Sequence, residues 1–145
     1  MKVFEQTTYS QITMDITYQT DFTPDAEAVI EVYESSGINR PTHDNARIAK
    51  MYANSQVVVT AWHNGLLVGV ARSVTDFCYC CYLSDLAVRS EYQNAGIGKK
   101  LIALTKDRIG DECMLLLIAA PSAVNYYPKI GMEKVTDAFI IKRKH

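Results

Sequence analysis

"EYQNAGIGKKLI", Glu91 to Ile102, is the stretch on which the reading of this chain turns. Gly96 and Gly98 stand directly ahead of an apolar helical run, and Lys99 and Lys100 fall in its first turn. Glycine is a poor helix residue, and a lysine at a helix start faces the positive end of the helix dipole. The two oddities make sense together if an anion sits at this helix start, where unpaired amides and a partial positive charge form a ready phosphate site. Upstream, "FCYCCYLSDLAV" is a long β stretch ending in Leu86-Ala87-Val88. Downstream, "CMLLLIAA" is a short continuous apolar run, as expected of a strand covered on both faces. Residues 77–120 therefore read as strand, glycine loop, helix and strand, a parallel crossover expected to be right-handed.

The rest of the chain supplies partners for this unit. "QITMDITYQ" alternates and reads as a first strand. "TPDAEAVIEVYESSG" is a helix in which Thr23 can cap and Pro24 suits the first turn. Its Ala26, Val29, Ile30 and Tyr33 share one apolar face, and Gly37 ends it. "THDNARIAKMYANS" is a second helix with Ile48, Met51 and Tyr52 inward. "QVVVTAW" and "LLVGVARSV" are strands joined at Asn64-Gly65, a hairpin turn. "PSAVNYYPKIGM" is a brief helix, and "EKV" and "AFIIK" are expected as two closing strands. The fold class is α+β, or mixed α/β: one domain over residues 1–145, with a mixed sheet and helices on its faces.

Composition narrows the function classes. The chain has 145 residues, 48% hydrophobic and 21% charged, enough for one ordinary core. Fifteen basic against sixteen acidic side chains, a net charge of −1, argue against a general nucleic-acid partner. Acidic residues gather early (Glu5, Asp15, Asp21, Asp25, Glu27, Glu31, Glu34), while Arg89, Lys99, Lys100, Lys106 and Arg108 gather around the glycine loop. No 18-residue apolar run and no apolar leader is present, so no membrane partner is expected. The four cysteines, Cys78, Cys80, Cys81 and Cys113, lack CxxC spacing and a His cluster, so no metal site is expected. They read as buried, unpaired thiols of a reduced, cytoplasmic protein.

Two familiar phosphate loops fail. A dinucleotide fingerprint needs a glycine where Leu101 stands, and a Walker loop needs one where Gln93 stands and a hydroxyl where Lys100 stands. What remains is Q-x-x-G-x-G, Gln93, Gly96 and Gly98, after a strand ending L-A-V. This resembles the acyl-CoA-binding core of the GCN5-related N-acetyltransferases, the GNAT family, whose signature is (R/Q)-x-x-G-x-(G/A). "NYYPKIGM" resembles the same family's xFYxKxGF segment, and the likeness spans about residues 11–142. It implies a mostly antiparallel mixed sheet with a splayed strand pair, and acetyl-CoA as co-substrate. By that resemblance the amides of Gln93, Asn94, Ala95, Gly96, Ile97, Gly98 and Lys99 wrap the coenzyme's diphosphate. The edge of Leu86, Ala87 and Val88 pairs with its pantetheine like an added strand. The family's asparagine ahead of the FY pair is Ala120 here, so that contact is missing or is taken over by Asn125. Tyr126 stands for the usual Phe and Met132 for the closing one.

Acyl transfer to an amine needs a neutral nucleophile, an oxyanion donor and a proton for the departing thiolate. The resemblance makes Tyr127 the general acid and a main-chain N–H, that of Leu86, the oxyanion donor. The resemblance also implies a bulge where the strand pair splays, and Asp85 is either the base, directly or through water, or an anchor that bonds backbone at that bulge. Tyr82 follows as a base if the bulge resets its parity, then His43 and His63, the latter expected to be exposed in the hairpin turn. An acyl-cysteine at Cys80 or Cys81 lacks a supporting His-Asp pair. Arg40 and His43 can recognise an acidic group; Glu34, Asp44 and Asp76 can attract an amine. The default acceptor is a small primary amine, ahead of a protein amine. A non-catalytic acyl-CoA-binding module and a nucleotide-binding protein are the rival classes. "AFIIK" offers an edge for a homodimer.

Overall fold

The computed structural model describes residues 14–145. Of the first predicted strand, Gln11 to Thr13 lie outside the described residues, and β1 is Thr17–Gln19. The order that follows is α1 (Ala26–Ser36), α2 (Asn45–Ala53), β2 (Val57–His63), β3 (Leu66–Thr75), β4 (Cys80–Val88), α3 (Ile97–Ile109) and β5 (Met114–Leu116). The sheet runs β1-β2-β3-β4-β5, antiparallel throughout except for the parallel pair β4–β5 that brackets α3. This is the expected mixed, mostly antiparallel sheet with helices on both faces.

Each face has its own core. Val57, Val59, Ala61, Val68, Ala71, Cys81 and Leu83 meet Ile97, Leu101 and Ile109 of α3. Val58, Leu67, Val70 and Ala87 meet Val29, Val32 and Tyr33 of α1 and Ile48 and Tyr52 of α2. Each fully buried aliphatic side chain here stabilises the fold by about 1.5–3 kcal/mol. Gly69 lets α3 sit tight on β3: a Cβ there would lie 3.2 Å from Leu101 Cδ1 and 3.4 Å from the Ala87 carbonyl.

Local signals carry into the structure with small changes. Asp25, not Thr23, caps α1, its Oδ1 accepting from the Ala28 amide at 2.9 Å. Val32 is buried beside Val29 and Tyr33, while Ile30 is half-buried. Asp44 caps α2. The 64–65 hairpin has positive φ at both residues, 49° and 79°, as a tight primed turn requires.

Two expectations are corrected. The apolar run 113–120 supplies only three strand residues, and neither "EKV" (133–135) nor "AFIIK" (138–142) forms a strand. Because β5 ends at Leu116, it offers no long edge for two more strands to pair with. Phe139 and Ile141 are consequently almost wholly exposed. Of the cysteines, all free, Cys81 and Cys113 are buried but Cys78 and Cys80 are exposed, because they sit on the β3–β4 connection and the outer end of β4.

Candidate active site

The site is made where β4 and β5 part. They pair only at Cys80–Met114, Cys81–Leu115 and Tyr82–Leu116. Just beyond, β4 carries a bulge: Arg72 opposes Asp85 and Ser73 opposes Leu83, so Ser84 is the extra residue. A bulge bends its strand and shifts the alternation of side chains. Cys81 and Leu83 face α3, whereas Asp85 and Ala87 face α1 and α2. Tyr82, between Cys81 and Leu83, therefore shares the face of Asp85.

The parted strands open a cleft of about 780 Å³ lined by Leu86, Ala87 and Val88 on one side and residues 117–120 and Tyr127 on the other. A second cleft of about 520 Å³ continues from it past Gln93, Asn94, Gly96, Gly98 and Lys99 to Tyr126. Leu86, Val88, Gln93 and Ala123 line both. The Arg89 amide donates to the Val68 carbonyl at 2.8 Å, extending the β3–β4 ladder. By antiparallel alternation Ala87 and Asp85 then bond β3, and the main-chain groups of Leu86 and Val88 point to the open edge. The Val88 carbonyl indeed accepts from the Gln93 side-chain amide at 2.9 Å.

The glycine loop is shaped for an anion. Asn94 and Gly96 have φ of 64° and 79°, the left-handed region, and Gly96 caps α3. The first intrahelical bond is from the Lys100 amide to the Gly96 carbonyl. The amides of Asn94, Ala95, Gly96, Ile97, Gly98 and Lys99 have no acceptor among the described residues. Gln93 differs from expectation: its own amide is spent on Ser90, at 3.4 Å, and its side chain ties the loop to β4. A Cβ on Gly98 would lie 3.5 Å from the Tyr126 hydroxyl, so that hydroxyl closes the loop's open side. Asn125 is exposed and lines neither cleft, so the structure does not bring it to the site.

Tyr127 is half-buried on the first cleft, edge-on to Tyr126 with ring centres 5.2 Å apart. Burial, aided by Tyr126, pushes its hydroxyl above the ordinary phenol value, so it keeps its proton. Asp85, expected as a base or as an anchor, stands at the centre of an ion-pair network. It is fully buried, and its carboxylate accepts from Arg40 Nε, from Arg72 Nε and from the Tyr33 hydroxyl at 2.7 Å. Burial alone would raise its pKa; the hydrogen bond and charge of Arg72, with Arg40 and Tyr33, outweigh this and hold it below the usual carboxylate range. With the Ser84 hydroxyl at 3.5 Å, four donors face its two oxygens, an arrangement that orients both arginines.

Sequence reasoning missed Arg72 and the network around it. Tyr33 bonds Tyr52 at 2.6 Å, and Arg72 also reaches Ser55 and Ser84. Burial, with Tyr52 and Asp85, raises the Tyr33 hydroxyl far above a free phenol; burial foremost raises that of Tyr52 too. The signal was present: an arginine inside the apolar strand "VGVARSV" must have a partner to be buried. His63 is half-buried and bonds the Tyr92 hydroxyl at 2.8 Å, so it is not the free turn residue expected, and His43 is exposed. Among the described residues no group of His, Cys, Asp and Glu is placed to hold a metal ion, and no helix is long and apolar enough to cross a membrane.

Known proteins match this geometry. A family model for an acetyltransferase (GNAT) domain matches residues 24–142. The chain is 28% identical over 90 residues to an uncharacterized N-acetyltransferase, ycf52, of Pyropia yezoensis; the match covers 58% of this chain and 52% of that one. The chain thus spans about half the length of this relative. A GNAT family acetyltransferase from Streptococcus pneumoniae superposes with a TM-score of 0.67 at 24% identity, over 90% of this chain and 100% of that one. An aminoglycoside N-acetyltransferase solved in complex with CoA superposes at 0.68 and 13% identity, over 94% and 99%. At these identities the structural likeness is one of fold.

Proposed function

The chain belongs to the GNAT family of acetyltransferases, and from that premise we propose that it transfers an acetyl group from acetyl-CoA to the primary amine of a small molecule by direct attack. The observation that carries the reading is the parting of β4 from β5 at the Ser84 bulge, next to a run of unpaired amides. The amides of residues 94–99 would hold the diphosphate, with Gly96 and Gly98 leaving room for it. The outward edge of Leu86 and Val88 would take the pantetheine amides as a neighbouring strand does. Acetyl-CoA supplies the activated thioester. An aminoglycoside N-acetyltransferase that shares the fold was solved in complex with CoA, which supports the choice of coenzyme.

In this reading the Leu86 amide donates to the developing oxyanion. Tyr127, which keeps its proton, donates to the departing thiolate. Among the described residues, no Asp, Glu or His side chain lines the first cleft. Tyr82, the other base candidate, does line it; in this reading the amine gives up its proton to solvent in the open cleft rather than to a carboxylate. Asp85 holds Arg40 and Arg72 in place.

Calorimetry with acetyl-CoA, followed by thioester loss against a panel of amines, tests the proposal. The expected result is micromolar binding, turnover with at least one amine, and a Tyr127→Phe variant whose kcat falls about 100-fold with the KM for acetyl-CoA little changed. Binding without turnover on any amine would describe a non-catalytic acyl-CoA-binding module; binding of ATP in preference to CoA would describe a nucleotide-binding protein.

A further inference from the structure

The acceptor half of the first cleft is lined by Arg40, Arg47, Arg72 and Arg143, with no Asp, Glu, Lys or His of the described residues on its wall. Asp85, fully buried behind the wall, is one carboxylate shared between Arg40 and Arg72. A guanidinium has five N–H donors. Arg40 uses one on Asp85, one on the Asn39 carbonyl and one on the Ser84 carbonyl; Arg72 uses one each on Asp85, Ser55 and Ser84. Among the described residues, each therefore keeps two N–H groups unspent, one on each terminal nitrogen, that can donate to an oxyanion. Arg40, only about a quarter exposed, is fixed by three bonds, so little entropy is lost when it binds. Arg47 stands exposed at the rim, donating to the His145 carbonyl at 3.2 Å.

We infer that the acceptor amine carries an oxyanion, a carboxylate or a phosphate, which Arg40 and Arg72 grip while Arg47 attracts it at the rim. The inference rests on the acetyl-transfer reading, with the acceptor entering the arginine-lined part of the first cleft. The coenzyme's diphosphate has its own cradle at residues 94–99, in the other cleft, so the arginines are not needed there. A polycation such as a polyamine or an aminoglycoside would meet four guanidiniums of which Asp85 offsets only part of the charge.

Matched probes read this directly. Calorimetry on the CoA-loaded protein would compare β-alanine with propylamine, O-phosphoethanolamine with ethanolamine, and spermidine as the cationic arm. At least one anionic member is expected to bind about tenfold or more tighter than its neutral partner, with spermidine weakest, and the preference should shrink as salt is raised from about 50 to about 500 mM. The carboxylate and phosphate arms decide which oxyanion it is. Arg47→Gln, at an exposed position that leaves the fold intact, should cut the anionic preference about threefold and leave CoA affinity unchanged. Arg40→Gln should cut it further. Equal binding within each pair, tighter binding of spermidine, no binding of the anionic probes, or a loss confined to CoA affinity would each overturn the inference. Tight anionic binding with no acetyl transfer to any amine would instead leave the charge preference standing and remove the acetyltransferase reading.

Discussion

Asp85 decides most at the residue scale. It lies on β4 beside the cleft, where a base is wanted, yet its geometry makes it the centre of an ion-pair network with Arg40, Arg72 and Tyr33. Because its pKa is depressed in the folded protein, its contribution to stability is complete above the unfolded value, about pH 4, and is lost as pH falls through the lower folded value. Asp85→Asn should therefore lower unfolding free energy at pH 7 by about 3–5 kcal/mol and flatten the loss below pH 4, measured by denaturant titration across pH. Asp76, held low by the amides of Cys78, Cys80 and Tyr79, keeps part of that acid slope in the variant. Activity should respond differently. With no carboxylate among the described residues of the cleft wall, kcat/KM should rise about tenfold per pH unit up to the acceptor amine's own pKa. An inflection between about pH 4 and 7 that Asp85→Asn removes would contradict this. Tyr127, its hydroxyl raised by burial, should impose no falling limb below about pH 10.

At the scale of the element, the glycine loop and the bulge make the cleft. Gly96 has φ of +79° and caps α3, so an alanine there is strained by about 1–2 kcal/mol and turns the amide fan away from its ligand. Gly96→Ala should lower the melting temperature by a few degrees and weaken acetyl-CoA binding at least about tenfold in calorimetry; unchanged affinity would remove the loop from the binding site. This element was legible in sequence, because α3 begins at Ile97 and ends at Ile109 as its capping glycines dictate. A bulge here was expected only from the family resemblance, and its placement at Ser84 was not legible. Its position follows from the register of β3 against β4, a non-local choice that no single strand encodes. The same holds for Arg72: its partner is thirteen residues away and meets it only across the ladder.

For the whole molecule, the succession of elements and a mixed sheet with helices on its faces followed from periodicity and turn chemistry, the mostly antiparallel pairing from the family resemblance, and the closing edge from neither. Short apolar runs such as "AFIIK" have strand composition, but a strand exists only where an edge receives it. Here β5 is three residues long, and Phe139, Ile140 and Ile141 are left exposed. An unpaired edge and an exposed apolar run favour association. Sedimentation velocity should accordingly show a concentration-dependent dimer that Phe139→Ser with Ile141→Ser abolishes; a monomer at every concentration would show that the tail serves no second copy.

The central claim is that main-chain groups of residues 94–99, with those of Leu86 and Val88, hold the coenzyme. Residue-resolved amide hydrogen exchange with and without acetyl-CoA tests it most directly. The account predicts slowed exchange at Asn94 through Lys99, at Leu86 and at Val88. Protection falling elsewhere, with these amides exchanging as fast as in the free protein, would contradict it.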